Sequence, residues 1–341
     1  MTDLPTRRAL IVILALGLAG GVEAEQAVGL GSFVRLGASS RGIAMGRAYT
    51  ALSGDDALGF FWNPAAVAFG ARGSRFAVSN RFFGEADLGM GGALSFLTAG
   101  GSIPIWNSFV FGLGVMHLGV PGIEQYDERA VLQGEFSDSE SLFLMSLGRN
   151  EGPIAVGLNV KMLYQGFSGL RQVQGATSGS GLGFDMGLIA RFWSPVRIGV
   201  SLRDQIDIDR DRSPMTAILG VSYDRPVYIG IPARVVGAID FEQIKKRPLR
   251  LHMGIGLEEI PAARDVLLAF RLGRSNRMIE NRLSDLLTGE FRGVLDEEDL
   301  VGASAQWALG VGLRRGQFRL DYTLSFGKLH DPQYISLGYD L

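Results

Sequence analysis

Residues 317–341 read QFRLDYTLSFGKLHDPQYISLGYDL, and their pattern is the clearest structural signal in the chain. Phe318, Leu320 and Tyr322 alternate with polar residues, which is the period of an extended strand with one apolar and one polar face. After a short break the same alternation returns and continues to Leu341. Strands of this kind are typical of a barrel that has lipid outside and polar groups inside.

The alternation recurs from residue 74 onward and predicts about fourteen strands, an even number as expected for a bacterial single-chain barrel. The predicted strands are residues 74–82, 87–97, 108–118, 140–149, 153–166, 180–193, 195–204, 215–223, 233–241, 248–258, 264–274, 301–313, 315–325 and 333–341. Short connections alternate with long ones, such as the expected loops at 119–139 and 275–300. Because open strand edges cannot face lipid, the prediction is an all-β fold, a closed transmembrane antiparallel β-barrel.

The N-terminus indicates where such a barrel is delivered. Arg7 and Arg8 precede an apolar run at 9–19, which is too short for a spanning helix and is followed by a small-residue cleavage pattern ending at Ala24. We therefore expect a cleaved signal peptide and a location in the outer membrane of a Gram-negative-type bacterium. The predicted organisation is a signal peptide at 1–24, an N-terminal hatch or plug at 25–72 and the barrel at 73–341.

Composition narrows the functional classes. The chain has 48 glycines, no cysteine, only three histidines and a formal net charge of −2, so a cysteine nucleophile, a histidine-rich metal site and nucleic-acid binding are disfavoured. No spacing of serine, histidine and acid indicates an active site. We therefore expect a protein that is not an enzyme and that has no catalytic residue, metal or cofactor.

Charged residues of both signs fall on the polar faces of the predicted strands. The lumen charges singled out by the alternation are Lys161, Asp185, Arg197, Arg250, Arg319 and Asp321. Acids and bases inside a narrow barrel are expected to pair and to fix the strand register. Inward glycines such as Gly181 and Gly183 would leave room for a plug made of the chain's own backbone.

The segment that could form this plug is residues 36–68, LGASSRGIAMGRAYTALSGDDALGFFWNPAAVA, which does not alternate. It resembles the N-terminal hatch of the FadL-type outer-membrane family, and more closely that of the PorV/PorQ branch. The matching positions are Gly37, Arg41, Ala44, Met45, Gly46, Ala48, Thr50, Ala51, Asp55, Asp56, Trp62, Asn63, Pro64 and Ala65. Arg47 and Ala66 depart from the pattern, since each stands where that family usually has glycine.

Nine of these positions form the hatch motif that we expect to be structural or gating. They are Gly37, Arg41, Met45, Gly46, Asp55, Asp56, Trp62, Asn63 and Pro64. Asn63 precedes a proline, which favours an extended or turn conformation, and its amide can satisfy backbone groups that have no ladder partner. A role in gating a ligand is the alternative for Asn63.

Two functions follow from the resemblance. The first is a binding or scaffold barrel, similar to PorV/PorQ, that works with protein secretion or surface attachment; its expected partners are outer-membrane lipid and secretion-machinery or cargo proteins. The alternative is a FadL-like channel that takes up hydrophobic small molecules or fatty acids, with a hydrophobic ligand as partner. A hydrophobic conduit should have apolar inward positions, whereas the predicted lumen alternates glycine with charge. The sequence therefore favours the scaffold.

Overall fold

Fourteen strands close into an antiparallel barrel in the part of the chain that the computed structural model describes. The described residues are 32–71, 73–82, 94–127, 129–169, 178–203, 207–208, 211–212, 215–244, 249–279, 306–326 and 331–341. Neighbouring strands pair in chain order, and the last strand pairs with the first along eight residue pairs, which closes the barrel. The predicted fold class is confirmed.

The barrel strands are numbered in chain order. They are β1 (Arg75–Phe82), β2 (Ser95–Trp106), β3 (Phe109–Tyr126), β4 (Leu132–Glu151), β5 (Ile154–Ser168), β6 (Gly179–Trp193), β7 (Val196–Arg203), β8 (Thr216–Tyr228), β9 (Pro232–Ile244), β10 (Leu249–Ala263), β11 (Val266–Ile279), β12 (Gln306–Arg315), β13 (Phe318–Phe326) and β14 (Gln333–Asp340). A separate two-stranded pair joins Asp207–Ile208 to Asp211–Arg212. Among the described residues, the helices are all too short or too polar to cross a membrane.

Alternation along each strand separates an apolar outer face from a buried inner face. On β6, Leu182, Phe184 and Met186 are exposed on the outside, whereas Asp185 between them is buried inside. Turns of two or three residues join the strands at one end, which we call the short-turn end. The other end, the long-loop end, carries the longer connections, so the predicted alternation of connection lengths is confirmed.

The predicted second strand, 87–97, is wrong in its position. β2 begins at Ser95 and continues to Trp106, while residues 87–93 lie outside the described part of the chain. The prediction leaves Gly100, Gly101 and Pro104 in the connection between strands 87–97 and 108–118. In the fold, Gly100 belongs to the strand because a hatch side chain takes the space that its own would fill, and Pro104 sits beside a register shift near the strand end.

The expected loop at 119–139 is instead largely a β-hairpin. β3 runs to Tyr126 and β4 starts at Leu132, with ladder pairs such as Ile123 with Phe136. This hairpin extends past the neighbouring strands at the long-loop end. Outside a bilayer, lipid no longer imposes an apolar outer face, so the alternation that predicts the other strands is lost there. The other expected loop, 275–300, begins too early, because β11 continues to Ile279. Residues 280–305 lie outside the described residues.

Residues 32–71 lie inside the barrel and form the hatch as the structure describes it. They contain one short helix, α1 (Ser40–Ala44), and four 3₁₀ turns, Ser32–Leu36, Ser53–Asp55, Gly59–Phe61 and Pro64–Val67. Ser39 caps α1 by accepting a hydrogen bond from the Gly42 amide. The buried core therefore sits in the lumen, between hatch and wall. The signal peptide and residues 25–31 lie outside the described residues, so the division of the chain at residues 24/25 and 72/73 stays a prediction.

Candidate functional site

The strongest link between hatch and wall is the ion pair of Arg41 with Glu258. Arg41 Nε and Nη2 donate to the two carboxylate oxygens at 3.1 and 2.7 Å, and both side chains are buried. Arg271 Nε and Arg234 Nη2 donate to the same carboxylate at 2.6 and 2.9 Å. One glutamate thus holds three guanidinium groups, and the hatch is tied to β9, β10 and β11 at the short-turn end.

Asp55 extends this charge cluster on the hatch side. Its carboxylate lies 3.4 Å from Arg234 Nη1 and 4.0 Å from Arg197 Nη1, and its carbonyl oxygen accepts a hydrogen bond from Arg319 Nη1 at 2.7 Å. Burial acts to raise the pKa of the Asp55 carboxyl, but the positive charges of Arg41 and the wall arginines outweigh it and hold that pKa below its ordinary value. Asp55 therefore stays ionised and helps to neutralise the arginines around it.

Asp56 has a different role from its neighbour Asp55. Its Oδ1 accepts the Leu58 amide at 3.0 Å and its Oδ2 accepts the Tyr49 hydroxyl at 3.2 Å. Both partners belong to the hatch. Asp56 therefore shapes the hatch internally and does not attach it to the wall.

The turn after α1 presses against the wall where β10 and β11 change register. A Cβ atom on Gly46 would lie 2.3 Å from both the Met253 carbonyl oxygen and the Arg274 amide nitrogen. Arg47 follows with a φ of +67°, the left-handed region that favours glycine. This explains why glycine is usual at that position in the family that the sequence resembles. The Arg47 guanidinium donates to the carbonyls of Arg35 and Leu36, which ties the first 3₁₀ turn to the rest of the hatch.

Asn63 is fully buried and joins the hatch to β6 and β7. Its Nδ2 donates to the carbonyl oxygens of Thr50, Leu188 and Val200 at 2.9, 3.2 and 3.3 Å. Its Oδ1 accepts the Ala65 amide at 3.0 Å and so caps the 3₁₀ turn that Pro64 begins. These contacts tie the hatch backbone to the wall, and the structural and the gating role of Asn63 both stay predictions.

Other wall side chains satisfy hatch backbone groups that have no ladder partner. Asn159 donates to the Phe60 carbonyl at 2.9 Å, and Arg203 donates to the Trp62 carbonyl at 2.8 Å. Asp240 accepts the amides of Tyr49 and Thr50 at 2.9 and 2.8 Å. Since buried backbone groups are costly to leave unpaired, these side chains make it possible to fill a barrel with irregular chain.

Two further motif residues make close contacts, Gly37 within the hatch and Met45 with the wall. Gly37 has a φ of +96°, and a Cβ there would lie 2.5 Å from the Ile43 side chain and 3.2 Å from the Trp62 ring. Met45 is buried, and its carbonyl group packs directly on Gly254 of the wall. The nine residues of the hatch motif are thus brought into one body, although they do not converge on a single point.

The predicted lumen charges separate into three groups. Lys161 pairs with Asp185 at 2.5 Å between β5 and β6, and both side chains are buried. Asp321 accepts from Arg271 at 2.7 Å, which places it with Arg319 and Arg197 in the cluster at the short-turn end. Arg250 lies apart, on β10 opposite Glu242 in the register. Sequence reasoning missed Glu258, the centre of the cluster, because it sits at a register shift where Glu259 has a φ of +57° and the alternation breaks down. Two adjacent glutamates at the predicted end of a strand were the available signal.

The inner wall at the long-loop end of β2 to β5 is apolar, contrary to the expected alternation of glycine and charge. The residues that form it are Phe96, Met116, Leu142, Leu144 and Leu163, and all are buried. They belong to one buried cluster with Phe33, Phe60, Phe61 and Trp62 of the hatch. We call this set the apolar wall. The rule that a barrel interior is polar assumes water in the lumen, whereas here the hatch fills it.

A small cavity lies beside the apolar wall, between the hatch and β7 to β10. Its volume is about 30 Å³, and its lining includes Trp62, Met116, Arg203 and Ile218. Such a space can hold water but not an organic solute. This space between hatch and wall is therefore too small to be a solute site in the structure as described.

Comparisons with known proteins agree with this geometry. No protein-family model and no curated protein matches the sequence. Among solved structures, the chain is similar to the CymD monoaromatic hydrocarbon channel, with a TM-score of 0.62 at 10% identity over 90% of this chain and 98% of that one. It is also similar to the Ralstonia pickettii toluene transporter TbuX, with a TM-score of 0.60 at 12% identity over 89% and 98%. A Pseudomonas aeruginosa FadL homologue gives 0.53 at 12% over 89% and 98%. At these identities the likeness is one of fold, and the chain shares its barrel architecture with these channels.

Proposed function

We propose that this protein is an outer-membrane channel for small hydrophobic compounds, which was the alternative in the sequence analysis. The observation that carries the proposal is the apolar wall, which lines the inside of β2 to β5 and meets the aromatic residues of the hatch. An apolar molecule that enters from the long-loop end meets this wall first. Ligand sites for such molecules are mostly apolar, and the apolar wall has this property.

The polar contacts of the hatch lie mainly on the other side of the lumen. Arg41 and Asp55 anchor it to β7, β9, β10 and β13, and Asn63 anchors it to β6 and β7. Against β2 to β4 the hatch makes largely apolar contacts, for example Phe61 near Gly114 and Val67 near Gly148. A shift of the hatch away from β2 to β4 would break few hydrogen bonds, so a conduit is expected to open along the apolar wall.

The solved structures of similar fold support the same class of solute. Two are described as a monoaromatic hydrocarbon channel and as a toluene transporter. We extend this chemistry to the present chain because its inner wall is apolar at the long-loop end. Small aromatic hydrocarbons are therefore the first solutes to test, before fatty acids.

The membrane location is part of the proposal. Aromatic side chains are exposed beside the short turns, at Trp106, Trp193, Tyr228 and Phe318. Aromatic girdles of this kind flank the apolar band of outer-membrane barrels. Lipid is accordingly the expected surrounding partner, and delivery by a cleaved signal peptide remains part of the hypothesis.

The main argument for the scaffold hypothesis no longer holds. That hypothesis includes the PorV/PorQ likeness and the secretion or cargo partners. The scaffold was preferred because a lumen lined by glycine and charged residues is unsuited to a hydrophobic solute. That description does not fit the long-loop end of β2 to β5, where Phe96, Met116, Leu142, Leu144 and Leu163 are buried inside the barrel. The scaffold is therefore kept as the competing outcome of the experiment that follows.

The test is uptake of radiolabelled toluene by bacteria whose outer membrane carries the protein. Leu163→Asn places an amide in the apolar wall, and Ile244→Asn is the matched control, a buried inward residue on β9 outside that cluster. We expect Leu163→Asn to lower uptake about fivefold, since an amide in an apolar site costs on the order of 1 kcal/mol, and Ile244→Asn to leave it near wild type. Equal amounts of folded barrel are verified by heat-dependent gel migration.

Uptake by the wild type no faster than by cells without the protein would contradict the channel. Recovery of secretion-related proteins by affinity purification in mild detergent, together with that result, would favour the scaffold.

A further inference from the structure

The outer surface of the barrel carries an apolar groove that the proposed channel does not use. It has a volume of about 510 Å³ and crosses β7 to β12, with walls formed by Val221, Ile239, Ile255 and Leu272. Its floor includes Gly237, an outer-face position without a side chain, where a Cβ would meet only the Gly254 carbonyl oxygen, at 3.9 Å. The groove therefore exists because one outer-face position is glycine.

The groove contains one cation, Arg274. The pairing of β11 with β12 is regular at this point, so Arg274 and Trp307 lie opposite each other and on the outer face, like Leu272. The guanidinium carbon of Arg274 is 5.2 Å from the centre of the Trp307 ring. Its Nε is buried and has no hydrogen-bond partner, and no ion pair involves this arginine among the described residues.

A second outward arginine, Arg149, has a carboxylate partner and serves as a comparison. Arg149 also lies 5.2 Å from an aromatic ring, that of Phe109, but its side chain is half exposed and pairs with the Glu151 carboxylate. Arg274 has the same aromatic contact without the carboxylate. A cation on a lipid-facing wall is costly unless an anion or water reaches it, so Arg274 requires a counter-charge from outside the described protein.

The height of Arg274 fits the headgroup region of the bilayer. Trp307 is the second residue of β12, and the strand reaches its short turn after Arg315. At the usual strand rise and tilt, this places Trp307 roughly 23 Å above the short-turn end, which is about the height of the apolar band of such barrels. Arg274 and Trp307 thus lie at the upper edge of that band, and the groove descends from them into the acyl region.

We propose that this groove binds one phospholipid with a net negative headgroup, with an acyl chain over Gly237 and the anionic phosphate on Arg274. The planar guanidinium can donate two parallel hydrogen bonds to phosphate oxygens, and Trp307 supports its other face. The apolar walls and the single cation at the upper end match the two parts of such a lipid in polarity and in order. The site is separate from the lumen, so it does not depend on the proposed channel.

The experiment is native mass spectrometry of the purified full-length protein in mild detergent. The probes are phosphatidic acid and phosphatidylcholine with identical acyl chains, offered together, and inorganic phosphate in a separate arm. We expect the wild type to retain phosphatidic acid about fivefold more than phosphatidylcholine, the effect of one basic side chain at a membrane surface. Arg274→Gln should abolish this preference and Arg274→Lys should preserve it.

Two other variants separate the groove from general charge effects. Gly237→Leu should reduce retention of both lipids because it fills the floor, and Arg149→Gln, the matched outward arginine, should change nothing. Heat-dependent gel migration verifies that each variant is folded. The proposal is overturned if the wild type has no preference, if Arg274→Gln keeps it, if Arg149→Gln loses it equally, or if inorganic phosphate displaces the lipid, which would indicate an anion site without an acyl chain.

Discussion

Asn63 shows how much of the hatch depends on one residue. A single buried amide donates to three carbonyl groups from three parts of the chain and accepts one amide hydrogen. Gly187 lies directly below it, and a Cβ there would come within 2.0 Å of Asn63 Oδ1. The Asn63 side chain on the hatch therefore fits only because residue 187 on β6 is a glycine.

Arg47 gives a residue-scale prediction because its backbone and its side chain have opposite effects. Its φ of +67° is strained for any residue with a Cβ, while its guanidinium fastens the first 3₁₀ turn. Arg47→Gly removes both the backbone strain and the hydrogen bonds of the guanidinium, whereas Arg47→Ala removes only the hydrogen bonds. We expect Arg47→Ala to be less stable than Arg47→Gly by roughly 1 kcal/mol in the free energy of unfolding.

Urea titration of the barrel in detergent micelles measures this difference, and Arg47→Lys is the control that keeps both the strain and a charge. Equal unfolding free energies for the alanine and glycine variants would show that the left-handed conformation at this position is not strained.

At the scale of elements, the inward glycines of the strands allow the backbone of the hatch to pack directly against the barrel wall. A Cβ on Gly157 would lie 2.3 Å from the Pro64 carbonyl group, and one on Gly273 would lie 1.9 Å from the Gly46 amide. Gly199 on β7 approaches the Thr50 carbonyl in the same way, at 2.6 Å. The inward glycines were expected to leave room for a backbone plug, and these contacts confirm that expectation.

We therefore predict that Gly157→Val displaces the hatch without opening the barrel wall. The added side chain cannot coexist with the Pro64 backbone, but the ladder of β5 is unaffected because valine is favourable in strands. Single-channel recordings in planar bilayers should show larger or more frequent openings than the wild type. Gly237→Val is the matched control, since it adds the same side chain to the outer face where no clash occurs. Wild-type conductance in Gly157→Val would mean that the hatch does not close the lumen.

At the scale of the whole molecule, the barrel and the hatch share one core. The buried cluster contains residues of both, and wall side chains such as Arg75, Asn159 and Arg203 donate to hatch carbonyls. The hatch thus contributes to stability as well as to closure. Burial of charges at the short-turn end adds to this dependence, because an unpaired buried charge is expensive.

Deleting residues 32–71 should accordingly produce an open but less stable barrel. The wall keeps its fourteen paired strands, but Glu258 loses one of three cationic partners and the wall loses the apolar core that it shares with the hatch. We expect a large, steady conductance in planar bilayers and a lower urea midpoint. Shortening the β3–β4 hairpin, which extends beyond the neighbouring strands, is the control and should leave conductance unchanged. A deletion variant with the wild type's low conductance would disprove the plug.

Strand count, closure and the plug could be predicted from the sequence because each depends on local pattern. Lipid imposes alternation residue by residue, and the non-alternating run at 36–68 could only be something other than a lipid-facing strand. The tertiary structure alone decided which inward residues touch the hatch. Glu258 at its register shift and the apolar wall depend on partners far away in the chain, whereas the extended β3–β4 hairpin lacks the alternation that lipid imposes on the other strands. Alternation says that a side chain points inward, but whether water, charge or an aromatic hatch residue meets it there is set by packing across the lumen.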